Sequence, residues 1–235
     1  MIKKELISRS PFRIMEKSTH GGLGKGNIGI IAAYKGVGKT ACLVHLATDM
    51  LFQEKHVIHV SFSSSTSHIV AWYEDIFGEI ARRYKLDCAM DVHDDIIRHR
   101  VIMNFRQDGV QVTQVQKSIR SMIREGNSSA ELIVVDGYDF SKVSPGEFAV
   151  FKDLAEELGL EIWFSATMQK NDTGFDANGV PLFLSKFLPG TAIVIYLETK
   201  GEYIHLKLVK DHDSATATDM HLKLDPQILL IAEET

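Results

Sequence analysis

A short glycine-bearing segment at residues 33–40 constrains this chain more than any other feature. It reads Ala-Tyr-Lys-Gly-Val-Gly-Lys-Thr, which differs from the phosphate-loop pattern GxxxxGK[ST] only in having Ala33 at the first position. A short apolar run precedes the segment, and apolar residues recur at helical spacing after it. Strand, glycine loop and helix in this order direct backbone N–H groups and the helix N-terminus at one point, which stabilises a bound anion. The segment therefore predicts a phosphate-binding site in an α/β fold.

The residue types within this loop fit a nucleoside triphosphate with a metal ion. Gly36 and Gly38 allow the backbone to turn and to approach a ligand, while Lys39 can neutralise phosphate charge. Thr40 has a hydroxyl that can ligate Mg²⁺. The residues predicted to bind the nucleotide are Lys35, Gly36, Val37, Gly38, Lys39, Thr40 and Ala41.

Apolar runs alternate with helical stretches along most of the chain. This order is typical of a mainly parallel sheet with helices on both faces. Strict alternation from residue 203 onward predicts a C-terminal antiparallel β-ribbon. Strands are predicted near 28–32, 56–62, 101–105, 132–136, 160–166, 192–197, 203–209 and 220–224, and helices near 40–51, 69–84, 113–125 and 145–158. The helix near 69–84 is predicted to bury Ile69, Trp72, Ile76, Phe77, Ile80 and Tyr84.

A carboxylate follows one of the buried strands. The run Leu132-Ile133-Val134-Val135 ends in Asp136, which places this side chain at the carboxyl end of a central strand. Ligands of open parallel sheets bind at that edge. We therefore expect Asp136 to hold the water shell of a Mg²⁺ ion carried by Thr40.

Composition excludes several classes of protein. The chain has 235 residues, of which 45% are hydrophobic and 24% are charged, so it can bury a full core. Its formal charge of −5 argues against coating nucleic acid through a bulk electrostatic field, although a local basic groove stays open. Neither a membrane span nor the apolar core of a signal peptide is recognisable, which favours a cytoplasmic protein.

The phosphate loop, the distant Asp136 and the strand–helix units between them resemble the RecA-like ATPase group, which includes DnaB replicative helicases, RadA-type proteins and KaiC. Residues 20–32 look like the glycine-rich lead-in of that group. Residues 164–169 are similar to its strand ending in a glutamine that senses the γ-phosphate, here Gln169. The resemblance implies a RecA-like P-loop NTPase domain over residues 20–235, preceded by an N-terminal extension over residues 1–19.

The resemblance also implies an assembly. Residues 207–213 resemble a Lys-x-Arg segment that reaches into a neighbouring subunit's site, and Lys210 matches its lysine. The implied partners are ATP or ADP and further copies of this chain, in a ring such as a hexamer or in a filament. The implied catalytic residues are Lys39, Asp136, Gln169 and, in trans, Lys210.

Two departures from the group weaken the expectation of fast hydrolysis. Ser63–Ser67 stand where the group has its water-activating glutamate, and no carboxylate follows until Glu74 and Asp75. Serine cannot act as that base at neutral pH. His212 stands in place of the trans-acting arginine, and imidazole is only partly charged at pH 7.

These features favour an ATP-binding protein with slow, Mg²⁺-dependent hydrolysis that controls assembly or conformation. Three alternatives stay open: a catalytically weak nucleotide-binding scaffold, a DNA-associated motor or recombinase relative, and a ParA/MinD-like ATPase. The last group has an additional lysine in its loop, and this chain has Tyr34 at that position.

Overall fold

The computed structural model describes residues 2–62, 65–86, 89–106, 112–125, 129–172, 174–214 and 218–234. The helices are α1 (Ile2–Ser8), α2 (Phe12–Ser18), α3 (Lys39–Phe52), α4 (Thr66–Tyr84), α5 (Ala89–Arg98), α6 (Val112–Glu125) and α7 (Pro145–Leu158), with a 3-10 helix over Leu182–Gly190. The strands are β1 (Ile28–Tyr34), β2 (His56–Ser61), β3 (Arg100–Asn104), β4 (Ala130–Asp136), β5 (Glu161–Met168), β6 (Ile193–Lys200), β7 (Tyr203–Asp211), β8 (Thr218–Leu224) and β9 (Ile231–Glu233).

These strands form one sheet in the order β3-β2-β4-β5-β1-β6-β7-β8-β9. All pairings from β3 through to β6 are parallel, and those among β6, β7, β8 and β9 are antiparallel. One face of the sheet packs against α3, α4 and α5, and the other packs against α6, α7 and the 3-10 helix. The prediction of a mainly parallel sheet with helices on both faces and a C-terminal antiparallel ribbon is confirmed.

The parallel strands bring their carboxyl ends to one edge of the sheet, and their apolar character follows from burial on both faces. β1 lies between β5 and β6, with Gly29 opposite Trp163 in the register. A Cβ atom at Gly29 would lie 2.5 Å from the Trp163 ring, so only glycine fits there without a shift of the strand. This close approach seats the strand that leads into the glycine loop.

Helix α4 differs from its prediction in the residues that it buries. Ile69, Ile76, Phe77 and Ile80 are buried as predicted. Tyr73 is buried, however, whereas Trp72 and Tyr84 are only half-buried. The prediction was therefore wrong for Trp72 and Tyr84, because a helical rotation of one residue turns Tyr73 to the sheet and Trp72 to the sheet edge.

The first nineteen residues pack onto the same core as the rest of the chain. Leu6, Phe12 and Met15 are buried in the hydrophobic cluster that contains α3. An Arg13 guanidinium nitrogen lies 2.5 Å from Oδ2 of Asp49 on α3, and this carboxylate is 4% exposed. Helices α1 and α2 are thereby held against α3 by apolar burial and by a nearly buried ion pair.

None of the described helices has the length and apolar character needed to cross a membrane.

We expect the substitution Arg13→Met to destabilise the fold by about 1–3 kcal/mol, because it leaves a buried acceptor on Asp49 without its charged donor. Burial already raises the pKa of Asp49, and Arg13 is among the groups that oppose this rise. A carboxyl group whose pKa is raised by folding costs stability above that pKa, and the cost disappears as the pH falls through it. The deficit of the variant should therefore shrink in acid, as measured by urea unfolding at a series of pH values.

Arg9→Ala provides the matched control, because Arg9 pairs with Glu5 at the surface. Its effect should stay within about 0.5 kcal/mol. An equally small effect of Arg13→Met would show that α1 and α2 are held by apolar contacts alone.

Candidate functional site

The glycine loop joins β1 to α3 at the carboxyl edge of the sheet. Gly36 and Gly38 have φ angles of 83° and 94°, in the left-handed region that glycine adopts readily. A Cβ atom at Gly36 would have no neighbour within 4 Å, so this side of the loop is open to a ligand. Gly38 is the N-cap of α3, and a Cβ atom there would lie 2.4 Å from Leu224. The loop thus exposes backbone on one side and supports it with the C-terminal ribbon on the other.

Lys39 is buried at the first turn of α3. Its Nζ donates to the carbonyl oxygens of Ala33 at 3.1 Å and Tyr34 at 2.8 Å. An ammonium group has three N–H donors, so these two contacts leave one for an anionic ligand. Burial lowers the pKa of Lys39 to about 8, although the negative charge of Asp136 acts in the opposite direction. The cation is therefore poorly solvated and would gain from a phosphate partner.

Asp136, the last residue of β4, is held by two hydroxyl groups. Thr40 Oγ1 donates to Oδ2 at 2.9 Å, and Ser165 Oγ donates to Oδ1 at 2.6 Å. The backbone N–H of Gly137 donates to the Ser165 oxygen at 2.9 Å. The structure thus brings together the two residues predicted to serve a metal ion, Thr40 and Asp136, and fixes the carboxylate from both sides.

A cavity of about 320 Å³ lies over this arrangement. Its polar side includes Lys35 and Lys39, and its far wall is apolar. The lining residues are Lys35, Gly36, Gly38, Lys39, Thr40, Trp72, Asp136, Gly137, Ser165, Thr167, Ile204, Leu224, Pro226 and Leu229. The side chains of Val37 and Ala41 instead pack into the core, so their part in the predicted site is limited to the backbone.

Gln169 and Lys210 lie apart from this cavity. Gln169 is exposed just beyond β5, where its backbone N–H donates to Asp172 Oδ2 at 2.8 Å. Lys210 is half-buried near the end of β7 and is level with Ile30, at the opposite edge of the sheet from the glycine loop. Its Nζ contacts the backbone oxygen of His212. In this chain neither side chain reaches its own cavity.

The segment at the expected glutamate position is described only in part, since Ser63 and Ser64 lie outside the described residues. Ser65 caps α4 by accepting the backbone N–H of Ser67. Glu74 on α4 lies 2.6 Å from Nε2 of His93, and it does not line the cavity. Asp75 is exposed and does not line the cavity either.

Three cavity residues have no counterpart in the sequence predictions for the site: Ser165, Thr167 and Trp72. The first two are polar residues at the carboxyl end of an otherwise apolar strand, which is a signal that the sequence does contain. Trp72 carries no such signal, because helical spacing alone cannot tell a core-facing residue from one at the sheet edge.

Comparisons with known proteins bear on the fold alone. No protein-family model matches this sequence, and no curated protein does. Among solved structures, the ATPase domain of a DnaB-like helicase is similar, with a TM-score of 0.69 and 14% sequence identity, over 94% of this chain and 89% of that chain. The predicted RecA-like P-loop ATPase fold is thereby confirmed.

Ser165 should position the predicted metal ligand Asp136. In Ser165→Ala the carboxylate loses a donor, so the Mg²⁺ concentration that half-supports ATP binding should rise about 10-fold, the usual cost of losing an outer-shell partner. Titration calorimetry at several Mg²⁺ concentrations measures this change. Thr191→Val is the control, because Thr191 also has a buried hydroxyl but donates it to Phe187 O, far from the loop. An unchanged Mg²⁺ requirement in Ser165→Ala would reduce Ser165 to a structural residue.

Proposed function

We propose that this protein binds ATP with Mg²⁺ in the cavity at the glycine loop, hydrolyses it slowly, and uses the bound nucleotide to control its assembly or conformation. The observation that carries the proposal is the contact between Thr40 and Asp136 beside a buried Lys39. A hydroxyl, a carboxylate and an ammonium group then meet at the N-terminus of α3, where the helix dipole favours an anion. We also propose a cytoplasmic location.

The residues present fit a Mg²⁺-bound triphosphate. Thr40 and Asp136 offer the hard oxygen ligands that Mg²⁺ prefers, and Asp136 could act through water. The ion, when bound, would neutralise phosphate charge. Lys39 could donate its remaining N–H to a phosphate oxygen, while the open side of Gly36 admits the phosphates to the backbone. The apolar wall formed by Ile204, Leu224, Pro226 and Leu229 offers surface for a nucleotide base.

Slow hydrolysis follows from the lack of a suitable base among the described residues around the cavity. Asp136 is engaged by Thr40 and Ser165, and Glu74 is directed to His93. Positioned general bases contribute about 10²–10⁴-fold to a rate. The same observation supports the second candidate, a nucleotide-binding scaffold with little catalysis. A DNA-associated motor draws no support from the charge of −5, and the likeness in fold to the solved ATPase domain favours the RecA-like over the ParA/MinD-like alternative.

A comparison of two lysines tests nucleotide binding. Lys39→Met should weaken Mg·ATP binding about 10- to 100-fold, because a charge-assisted hydrogen bond is worth about 1.5–3 kcal/mol. Lys152→Met is the matched control, since Lys152 also donates to a backbone carbonyl, that of Gly26 at 2.6 Å, but far from the loop. Turnover of the wild-type protein should fall below the usual range of about 1–10³ s⁻¹. Equal affinities in the two variants would refute the site.

The pH dependence of binding in the same calorimetric experiment adds a check on Lys39. A phosphate partner raises the pKa of Lys39 above its value of about 8 in the free protein, so binding takes up a proton in alkaline solution. Affinity should thus be full below pH 8 and fall as the pH rises through 8, by up to about 10-fold per pH unit. Lys39→Met should lack this dependence.

Assembly is tested through Lys210. Since this lysine lies at the opposite edge of the sheet, the only nucleotide that it could serve is one held by a neighbouring copy. Lys210→Ala should weaken ATP-promoted assembly, seen by light scattering, and should remove any rise of turnover per chain with protein concentration. Lys207→Ala is the control, because Lys207 on the same strand pairs with Glu198. A wild-type protein that stays monomeric with ATP would exclude the role in trans.

A further inference from the structure

We propose that the C-terminal ribbon holds a second metal site, separate from the nucleotide cavity, which binds Zn²⁺ through His205, Asp219 and Glu234. These residues come from β7, from β8 and from the position after β9. One ligand atom from each lies within 4.8 Å of those of the other two. Ligand atoms on a tetrahedral Zn²⁺ with bonds of about 2.0–2.2 Å lie about 3.3–3.6 Å apart. Side-chain adjustments of about 1 Å would therefore close the site.

The backbone of β8 fixes both carboxylates. The N–H of His221 donates to Asp219 Oδ1 at 2.9 Å, and its carbonyl accepts the N–H of Glu234 at 2.8 Å. His221 has a φ of 53°, which turns the strand locally and lets one residue serve both neighbours. The three ligands thus sit on hydrogen-bonded strands.

A polar atom in this cluster lacks a partner. Oε1 of Glu234 is shielded from solvent and has no hydrogen-bond partner among the described residues, although it contacts Nδ1 of His205. The two atoms are close but are not aligned as donor and acceptor. A buried carboxylate oxygen without a donor is costly, and a cation between imidazole and carboxylate would satisfy it.

The nearby lysines are engaged elsewhere. Lys207 pairs with Glu198 at 2.6 Å, and the Nζ of Lys223 lies 4.3 Å from the centroid of the Tyr203 ring. The negative charge of the two carboxylates is therefore left for another cation. An imidazole ligand selects a borderline ion such as Zn²⁺ over Mg²⁺ or Ca²⁺, which take oxygen ligands, and water would complete a three-ligand Zn²⁺ site.

Such a site would stabilise one wall of the nucleotide cavity. The chain between β8 and β9 contains Pro226 and Leu229, and both residues line that cavity together with Leu224. Zn²⁺ would tie the two ends of this connection to β7. Since an ion that binds only the folded state stabilises it, thermal unfolding should shift upward with Zn²⁺ in the absence of nucleotide.

The test measures Zn²⁺ binding to the full chain after treatment with chelator, by equilibrium dialysis without nucleotide, and uses the visible spectrum of Co²⁺ as a second probe. Wild-type protein should bind one Zn²⁺ at a site that His205→Ala and Glu234→Gln each weaken by at least about 10-fold, the lower cost of losing even an outer-shell partner. Glu234→Gln keeps the shape of the side chain, so it separates loss of a ligand from loss of folding.

His93→Ala is the matched control. His93 also pairs with a glutamate, Glu74, but no third ligand joins this pair among the described residues. Its Zn²⁺ affinity should equal that of the wild type. Absence of a saturable site in the wild type, or equal affinity in His205→Ala and Glu234→Gln, would overturn the proposal and leave the three residues as an ion pair only.

Discussion

The carboxylate of Asp136 needs partners, and the rest of the site is arranged to provide them. It lies at the end of a strand buried between β2 and β5, where bulk water solvates it only in part. Hydrogen bonds to a charged group contribute about 1.5–3 kcal/mol each. Thr40 supplies one bond from the first turn of α3, and Ser165 supplies the other from β5. Three elements that are distant in sequence are therefore joined through one side chain.

This arrangement separates two roles for hydroxyl groups. Ser165 also accepts the N–H of Gly137, so its orientation is fixed by the backbone after β4. Thr40 has no such second tie among the described residues, and its hydroxyl can turn from Asp136 toward a metal ion at the cost of one hydrogen bond. Asp136 would then still be held by Ser165. The order of these contacts makes Thr40 the adaptable member of the set and Ser165 the fixed one.

The fold could be predicted from the sequence because its signals are local. Buried parallel strands read as apolar runs, and the glycine loop and Asp136 fall at strand ends that any sheet of this kind brings to one edge. Ser165 could not be assigned its role, because that role depends on the pairing of β4 with β5, in which Val135 lies opposite Phe164. The apolar wall depends likewise on how the ribbon curls back to Gly38. Such non-local contacts leave no periodic trace in the sequence.

The proposed role of Lys210 limits how copies of this chain could assemble. The nucleotide loop follows the end of β1, whereas Lys210 is level with Ile30 near its beginning, so the two lie at opposite edges of one sheet. A copy that offers Lys210 to a neighbour while receiving another copy's Lys210 uses two different surfaces. Contacts between different surfaces run head to tail, and they produce a closed ring or an open filament according to the rotation at each step. His20 and His212 both contact Asp211 beside this lysine, at 2.6 and 2.7 Å. The segment that carries Lys210 is thus fixed within its own chain before any neighbour is met, which lowers the ordering cost of such a contact.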